Sequence, residues 1–159
     1  MIEKTNFEIS NSSTKAMQIF LELIKSGEEC PLTGTGNSMY PFLKDEKDII
    51  TMMPIDKKKI RVGDIFLYQR DDGIFVVHRL YKICSDETFW FAGDNLSYVE
   101  KNIKISQLRA KARYVTRNGR TISCEQGFIR SFYTIRMICK VMFNRMVLCT
   151  SRKNPTRTS

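Results

Sequence analysis

Histidine is almost absent from this chain. The single one, His78, lies in Val76-Val77-His78-Arg79-Leu80. The five cysteines, Cys30, Cys84, Cys124, Cys139 and Cys149, are at least ten residues apart and form no CxxC pair. That spacing suits neither a zinc knuckle nor a compact disulfide framework, so no metal site and no cofactor are expected. Reduced cysteines packed as small hydrophobes, and with them a cytoplasmic setting, are the simplest reading. No apolar run approaches the ~18 residues that a membrane-crossing helix needs. The opening residues, Met1-Ile2-Glu3-Lys4-Thr5-Asn6, lack the basic start and apolar run of a secretory signal. Acidic residues are missing from one end of the chain. From Phe128 onward there are seven basic residues (Arg130, Arg136, Lys140, Arg145, Arg152, Lys153, Arg157) and no acidic one, so most of the net charge of +9 belongs to this tail.

What is present reads as a small folded protein. The 159 residues are enough for one sizeable core, and 42% hydrophobic with 27% charged residues is ordinary for a globular chain. Asn11-Ser12-Ser13-Thr14 offers capping side chains, and Ala16, Met17, Phe20, Leu21 and Ile24 follow at helical spacing, which predicts a helix over 13–26 stopped by Gly27. Pro31 to Tyr40 has little periodicity and reads as a loop. Strand signals then dominate. Asp48–Met53 ends at Pro54. Ile65–Arg70 turns at Asp71-Asp72-Gly73 and returns as Ile74–Tyr81. Thr88–Phe91 ends at Gly93-Asp94-Asn95. Ala110–Thr116 and Thr121–Cys124 flank Asn118-Gly119, a type I′ hairpin signal. The last segment, 127–148, steps Phe128, Phe132, Ile135, Cys139, Met142, Met146 by fours and threes, with Arg130, Arg136, Lys140 and Arg145 on the other half of the wheel. Such a cationic amphipathic helix has two uses. It docks its apolar stripe on the β domain, or it lies in a membrane surface.

The lone imidazole gives the chemistry its focus. Ser38 stands in Gly36-Asn37-Ser38-Met39-Tyr40-Pro41, forty residues before His78. A serine hydroxyl attacks poorly until a base takes its proton, and histidine does this near neutral pH. A carboxylate would fix the imidazole tautomer and stabilise its charged form. Asp94, in the Gly-Asp-Asn turn, and Glu100, six residues on, are the candidates. Backbone N–H groups around the serine could hold an oxyanion. Each piece alone is commonplace: Ser-Met-x-Pro is usually an ordinary turn, and a histidine between apolar residues is usually core. Their order and spacing together carry the reading.

Four blocks resemble the type I signal peptidase clan, which includes the SOS-repressor autoproteases: Gly36–Pro41, Arg61-Val62-Gly63-Asp64-Ile65, Val77-His78-Arg79-Leu80 and Gly93-Asp94-Asn95. They span about half of the chain. A histidine at position 78, where many relatives carry a lysine base, is similar to the endoplasmic-reticulum, archaeal and sporulation-type branch. The resemblance implies a mainly β fold, Ser38 as nucleophile, His78 as base, Asp94 as first choice of acid and Glu100 as second, and an extended substrate added as a strand. It implies that Arg61–Asp64 serves the fold. Relatives often carry a serine two positions before the nucleophile. Gly36 stands there, which leaves Thr35, Asn37, Met39 or backbone as oxyanion and substrate-side candidates.

The expected architecture is thus mainly β: an N-terminal helical segment over 1–28, a signal-peptidase-like β domain over 29–126, the amphipathic helix over 127–150 and a basic tail over 151–159. The expected function is a serine endopeptidase acting on a peptide or precursor protein, with the C-terminal helix available for peripheral membrane contact. A non-catalytic peptide-binding β module is the alternative. Specific nucleic-acid binding is not expected, because the basic charge is not interleaved with base-stacking aromatics.

Overall fold

The computed structural model describes residues 8–9, 14–44 and 47–151. The residues expected to cap the first helix at 11–13, and the basic tail from 152, lie outside these. The fold is mainly β, as the sequence patterning implies. Ten strands form one antiparallel sheet: β1 (Glu8–Ile9), β2 (Cys30–Leu32), β3 (Gly34–Thr35), β4 (Ile49–Met53), β5 (Ile65–Gln69), β6 (Phe75–Ile83), β7 (Thr88–Ala92), β8 (Glu100–Lys104), β9 (Leu108–Arg117) and β10 (Arg120–Ser123). Helix α1 (Thr14–Ser26) precedes β2, and helix α2 (Gly127–Ser151) follows β10. The order across the sheet is β2-β4-β9-β5-β6-β1-β3, with β10 on β9, and β7 between β6 and β8.

Local chemistry accounts for most of these elements. Met17, Phe20 and Ile24 recur at helical spacing and are all buried, so α1 closes one side of the core. It stops where Gly27 takes a φ of 102° and the Glu28 N–H turns back to the Leu23 carbonyl. At the β9–β10 hairpin, Asn118 and Gly119 both have positive φ (50° and 74°), as the Asn-Gly pair demands.

Strand β6 alternates between two cores. Val77 belongs with Met39, Phe42, Ile65, Leu67 and the α1 residues, whereas Val76 and Leu80 belong with Phe66, Tyr68, Phe89 and Phe91. This period of two puts His78 and its neighbour Arg79 on opposite faces. Three stretches read as loop or left unread are strands. β1 is only two residues long. β3 and all of β2 but Cys30 lie within Pro31–Tyr40, too short and too rich in Gly, Pro and Thr to show alternation. β8, Glu-Lys-Asn-Ile-Lys, has one apolar residue because it pairs with β7 alone.

Helix α2 overturns one of the two uses expected of it, the docking of its stripe on the β domain. The stripe that was to pack on the β domain points outward: Phe128, Phe132, Ile135, Met142 and Met146 are all more than half exposed, and Cys139 is exposed too. The opposite face is the docked one, through Tyr133, Thr134, Met137 and Val141. The cationic side chains take part. Arg130 approaches Asp64 at 3.6 Å, Arg136 donates to the Asp94 carbonyl at 3.1 Å, and Lys140 donates to the Asn95 carbonyl at 2.6 Å. The helix thus buries a narrow apolar line flanked by polar bonds, and leaves its larger apolar side chains exposed. Gly63 makes that docking possible. A Cβ there would stand 2.4 Å from Thr134 Oγ1 and 2.7 Å from Arg130 Cγ, and its φ of 92° already favours glycine. Cysteine burial, expected of all five, holds for Cys30 and Cys124, in part for half-buried Cys84 and not for Cys139, while the Cys149 side chain lies outside the described residues.

Candidate active site

Ser38 begins the turn that follows β3. The turn is fastened by hydrogen bonds from Tyr40 N–H to the Asn37 carbonyl (3.1 Å) and from Leu43 N–H to the Met39 carbonyl (2.9 Å). Met39, Phe42 and Leu43 drive their side chains into the core and anchor it. Met39 is therefore a core residue, not a side chain offered to a substrate. Thr35 is buried on β3, where it pairs with Glu8, and Asn37 is exposed.

The turn after β7 locks the serine from the other side. Asn95 N–H donates to the Ser38 carbonyl at 2.7 Å. A Cβ on Gly93 would come within 2.5 Å of that same carbonyl oxygen, so only glycine permits the approach. The Gly-Asp-Asn block thus positions the Ser38 backbone.

Ser38 Oγ and His78 Nε2 are 3.1 Å apart, and both residues are fully buried. The other ring nitrogen, Nδ1, is 3.0 Å from the Tyr68 hydroxyl and 3.3 Å from Glu100 Oε1. A proton on Nδ1, shared between those two oxygens, leaves Nε2 unprotonated and aimed at the serine. Glu100 is itself held by Arg70, whose Nε and Nη2 each donate to one carboxylate oxygen. Burial alone would raise the Glu100 pKa, but the hydrogen bonds from His78 and Arg70 outweigh it and bring the carboxyl down to about 2. Burial, reinforced by the Glu100 charge and a hydrogen bond to it, pushes the Tyr68 phenol well above its usual value. Tyr68 is therefore a neutral hydroxyl at any ordinary pH.

The two candidate acids part company here. Asp94, first choice from the sequence, is fully buried and gives both carboxylate oxygens to Arg79, each at 2.7 Å. Arg79 also donates to the Gly63 carbonyl at 2.9 Å and lies over the rings of Phe42 and Tyr133. Glu100, the second choice, is the carboxylate beside His78. The reason is the two-residue period of β6: Asp94 meets the face that carries Arg79, and Glu100 meets the face that carries His78.

Tyr68 and Arg70 were missed as site residues. A signal for Tyr68 was available. The turn at 71–73 sets the β5–β6 register, Phe66 opposite His78 and Tyr68 opposite Val76. Alternation then puts Tyr68 on the histidine's face, one diagonal away. Arg61–Asp64 is structural. The Asp64 carboxylate accepts from the Arg61 N–H at 2.9 Å and pairs with Lys111 at 3.1 Å.

Strand β1 lies beside this centre. It pairs with Thr35 and Gly34 of β3 on one side and with Val76 of β6 on the other. The main-chain groove between the strand leading to Ser38 and the strand carrying His78 is therefore filled by residues 8–9.

Neither a curated protein nor a solved structure matches the chain. A family model does match, over residues 5–115, a span that contains β1, Ser38, His78, Asp94 and Glu100 and bears out the resemblance to the clan. This chain belongs to the Peptidase S24-like family, a family of serine peptidases and autoproteases.

Proposed function

We propose that the protein is a serine endopeptidase that cuts an extended peptide or a segment of a precursor protein, with Ser38 as nucleophile, His78 as general base and Glu100 as the acid that orients it. The observation that carries this reading is the line Ser38 Oγ, His78 Nε2, His78 Nδ1, Glu100 Oε1, with gaps of 3.1 Å and 3.3 Å. As Ser38 Oγ attacks a peptide carbonyl, its proton passes to Nε2, and the positive imidazolium lies against a carboxylate kept ionised by Arg70. The same proton then goes to the leaving amine, and water repeats the cycle on the acyl-serine. A histidine base favours the endoplasmic-reticulum, archaeal and sporulation-type branch of the clan.

Substrate entry follows from β1. An extended chain binds by main-chain pairing in the groove between β3 and β6, which residues 8–9 already hold. A peptide arriving from another molecule has to displace that strand.

The complete burial of Ser38 and His78 favours one other reading, a peptide-binding module that has kept the fold without turnover. One experiment separates them. The purified chain, Ser38→Ala and His78→Ala are each incubated with a library of extended peptides, and all products, including fragments of the chain itself, are mapped by mass spectrometry. Cleavage that falls by roughly 10³-fold or more in both variants, with unchanged circular dichroism, supports the peptidase. Equal cleavage in the variants removes it, and peptide binding with no hydrolysis by any of the three supports the module.

A further inference from the structure

The outward face of α2 is apolar and, among the described residues, largely exposed. Phe128, Phe132, Ile135, Met142, Phe143 and Met146 are between 54% and 83% exposed. They fall within an arc of roughly 100° on a helical wheel and run for about 27 Å along the axis. Isolated exposed apolar residues are normal on a protein surface, but an aligned series with three phenylalanines and no charge is not. No helix among the described residues is long and apolar enough to cross a membrane. Its apolar stripe is suited to lying on a surface.

We propose that α2 docks the protein on an anionic lipid bilayer, its apolar stripe entering the headgroup region. Charge selects this occupant. From residue 128 to the end the chain has seven basic residues and no acidic one. Arg136 and Lys140 bond to backbone carbonyls and to the Asn95 amide oxygen, not to carboxylates, so these bonds leave their charge uncancelled. A second copy is the competing occupant, since steps of four and three also make a coiled-coil seam. That seam would hold Phe, Cys and Met where tight packing uses Leu, Ile and Val, and would bring two acid-free cationic helices together. An anionic surface attracts the same charge and accepts bulky Phe and Met side chains without fixed geometry. Docking also bears on the active site. Arg136 and Lys140 hold the 94–95 turn, and Asn95 N–H holds the Ser38 carbonyl, so the lipid-bound helix touches the loop that fixes the nucleophile.

The test is co-sedimentation of the full chain with vesicles of phosphatidylglycerol and phosphatidylcholine, and with phosphatidylcholine alone. It is run beside the double variant Phe132→Ser/Phe143→Ser, whose two side chains are exposed and whose urea midpoint should match the parent. Binding to the anionic vesicles, weakened by salt and reduced about tenfold or more in the double variant, is expected. No sedimentation, or equal sedimentation of parent and variant, overturns the proposal. So does a dimer in analytical ultracentrifugation that the double variant abolishes, which would assign the stripe to a second copy. Ser38→Ala should bind vesicles as the parent does, so the outcome is independent of whether the chain is a peptidase.

Discussion

Two carboxylates flank strand β6, and they differ in what they have been given to do. Asp94 sits at zero exposure and gives both oxygens to Arg79, on the face of β6 opposite His78. Glu100 keeps some exposure, at 15%, and gives both oxygens to Arg70 while its Oε1 also faces the imidazole. The Asp94–Arg79 pair joins β6, the turn that fastens Ser38, the Gly63 carbonyl and, through Tyr133, helix α2. A fully desolvated pair of this kind holds geometry, and breaking it strands a charge. Glu100 is a shared acceptor whose value lies in the proton it keeps on the far side of His78. A buried acid near a histidine therefore need not be its partner, and the face of the strand decides.

The largest effect should come from the Arg79 side. Asp94→Asn leaves a buried guanidinium without its counter-charge, and chemical denaturation should register a loss of about 3–5 kcal/mol. A loss under about 1 kcal/mol would mean that the pair is not the strut described here. Glu100→Gln sharpens the contrast. Peptide cleavage should fall by about 10²-fold while the urea midpoint drops far less than in Asp94→Asn. If instead Asp94→Asn folds normally and loses cleavage while Glu100→Gln keeps it, the two roles are reversed.

Acid titration separates the same pair on a finer scale. The Glu100 carboxyl lies at about 2 in the folded chain and near 4.3 when unfolded. Its stabilising contribution is therefore complete above the unfolded value and is lost as pH falls from about 4.3 through about 2. The urea midpoint of the parent should decline across that window more steeply than that of Glu100→Gln, and parallel declines would contradict the assignment. The smallest effect is expected of Tyr68→Phe. It removes one of the two oxygens facing Nδ1 but leaves Glu100, so cleavage should fall about tenfold with little change in stability. A fall as deep as that of Glu100→Gln would make the phenol the principal orienting group.

Much of this was legible in the sequence. The alternating runs 65–70 and 74–81 around Asp71-Asp72-Gly73, the Asn-Gly hairpin and the apolar spacing of 16–24 each encode local geometry, and local geometry is what short-range patterns report. The singularity of His78 left one candidate base once Ser38 was considered. Strand β8 was not legible, because Glu100-Lys101-Asn102-Ile103-Lys104 becomes a strand through pairing with β7 alone and carries little propensity of its own. Glu100 ranked second for the same reason. A turn motif advertises Asp94, whereas only the bonded position of β8 brings Glu100 to the histidine.

By itself the sequence determined a mainly β frame and a candidate pair, Ser38 and the single imidazole, because residue types and short periodicities are properties of the chain. Tertiary structure alone decided which carboxylate meets the imidazole and which face of α2 meets the domain. Both depend on partners distant in sequence: the two-residue period of β6 sorts its neighbours by side, and the polar bonds of Arg130, Arg136 and Lys140 turn the smaller apolar line of the helix inward.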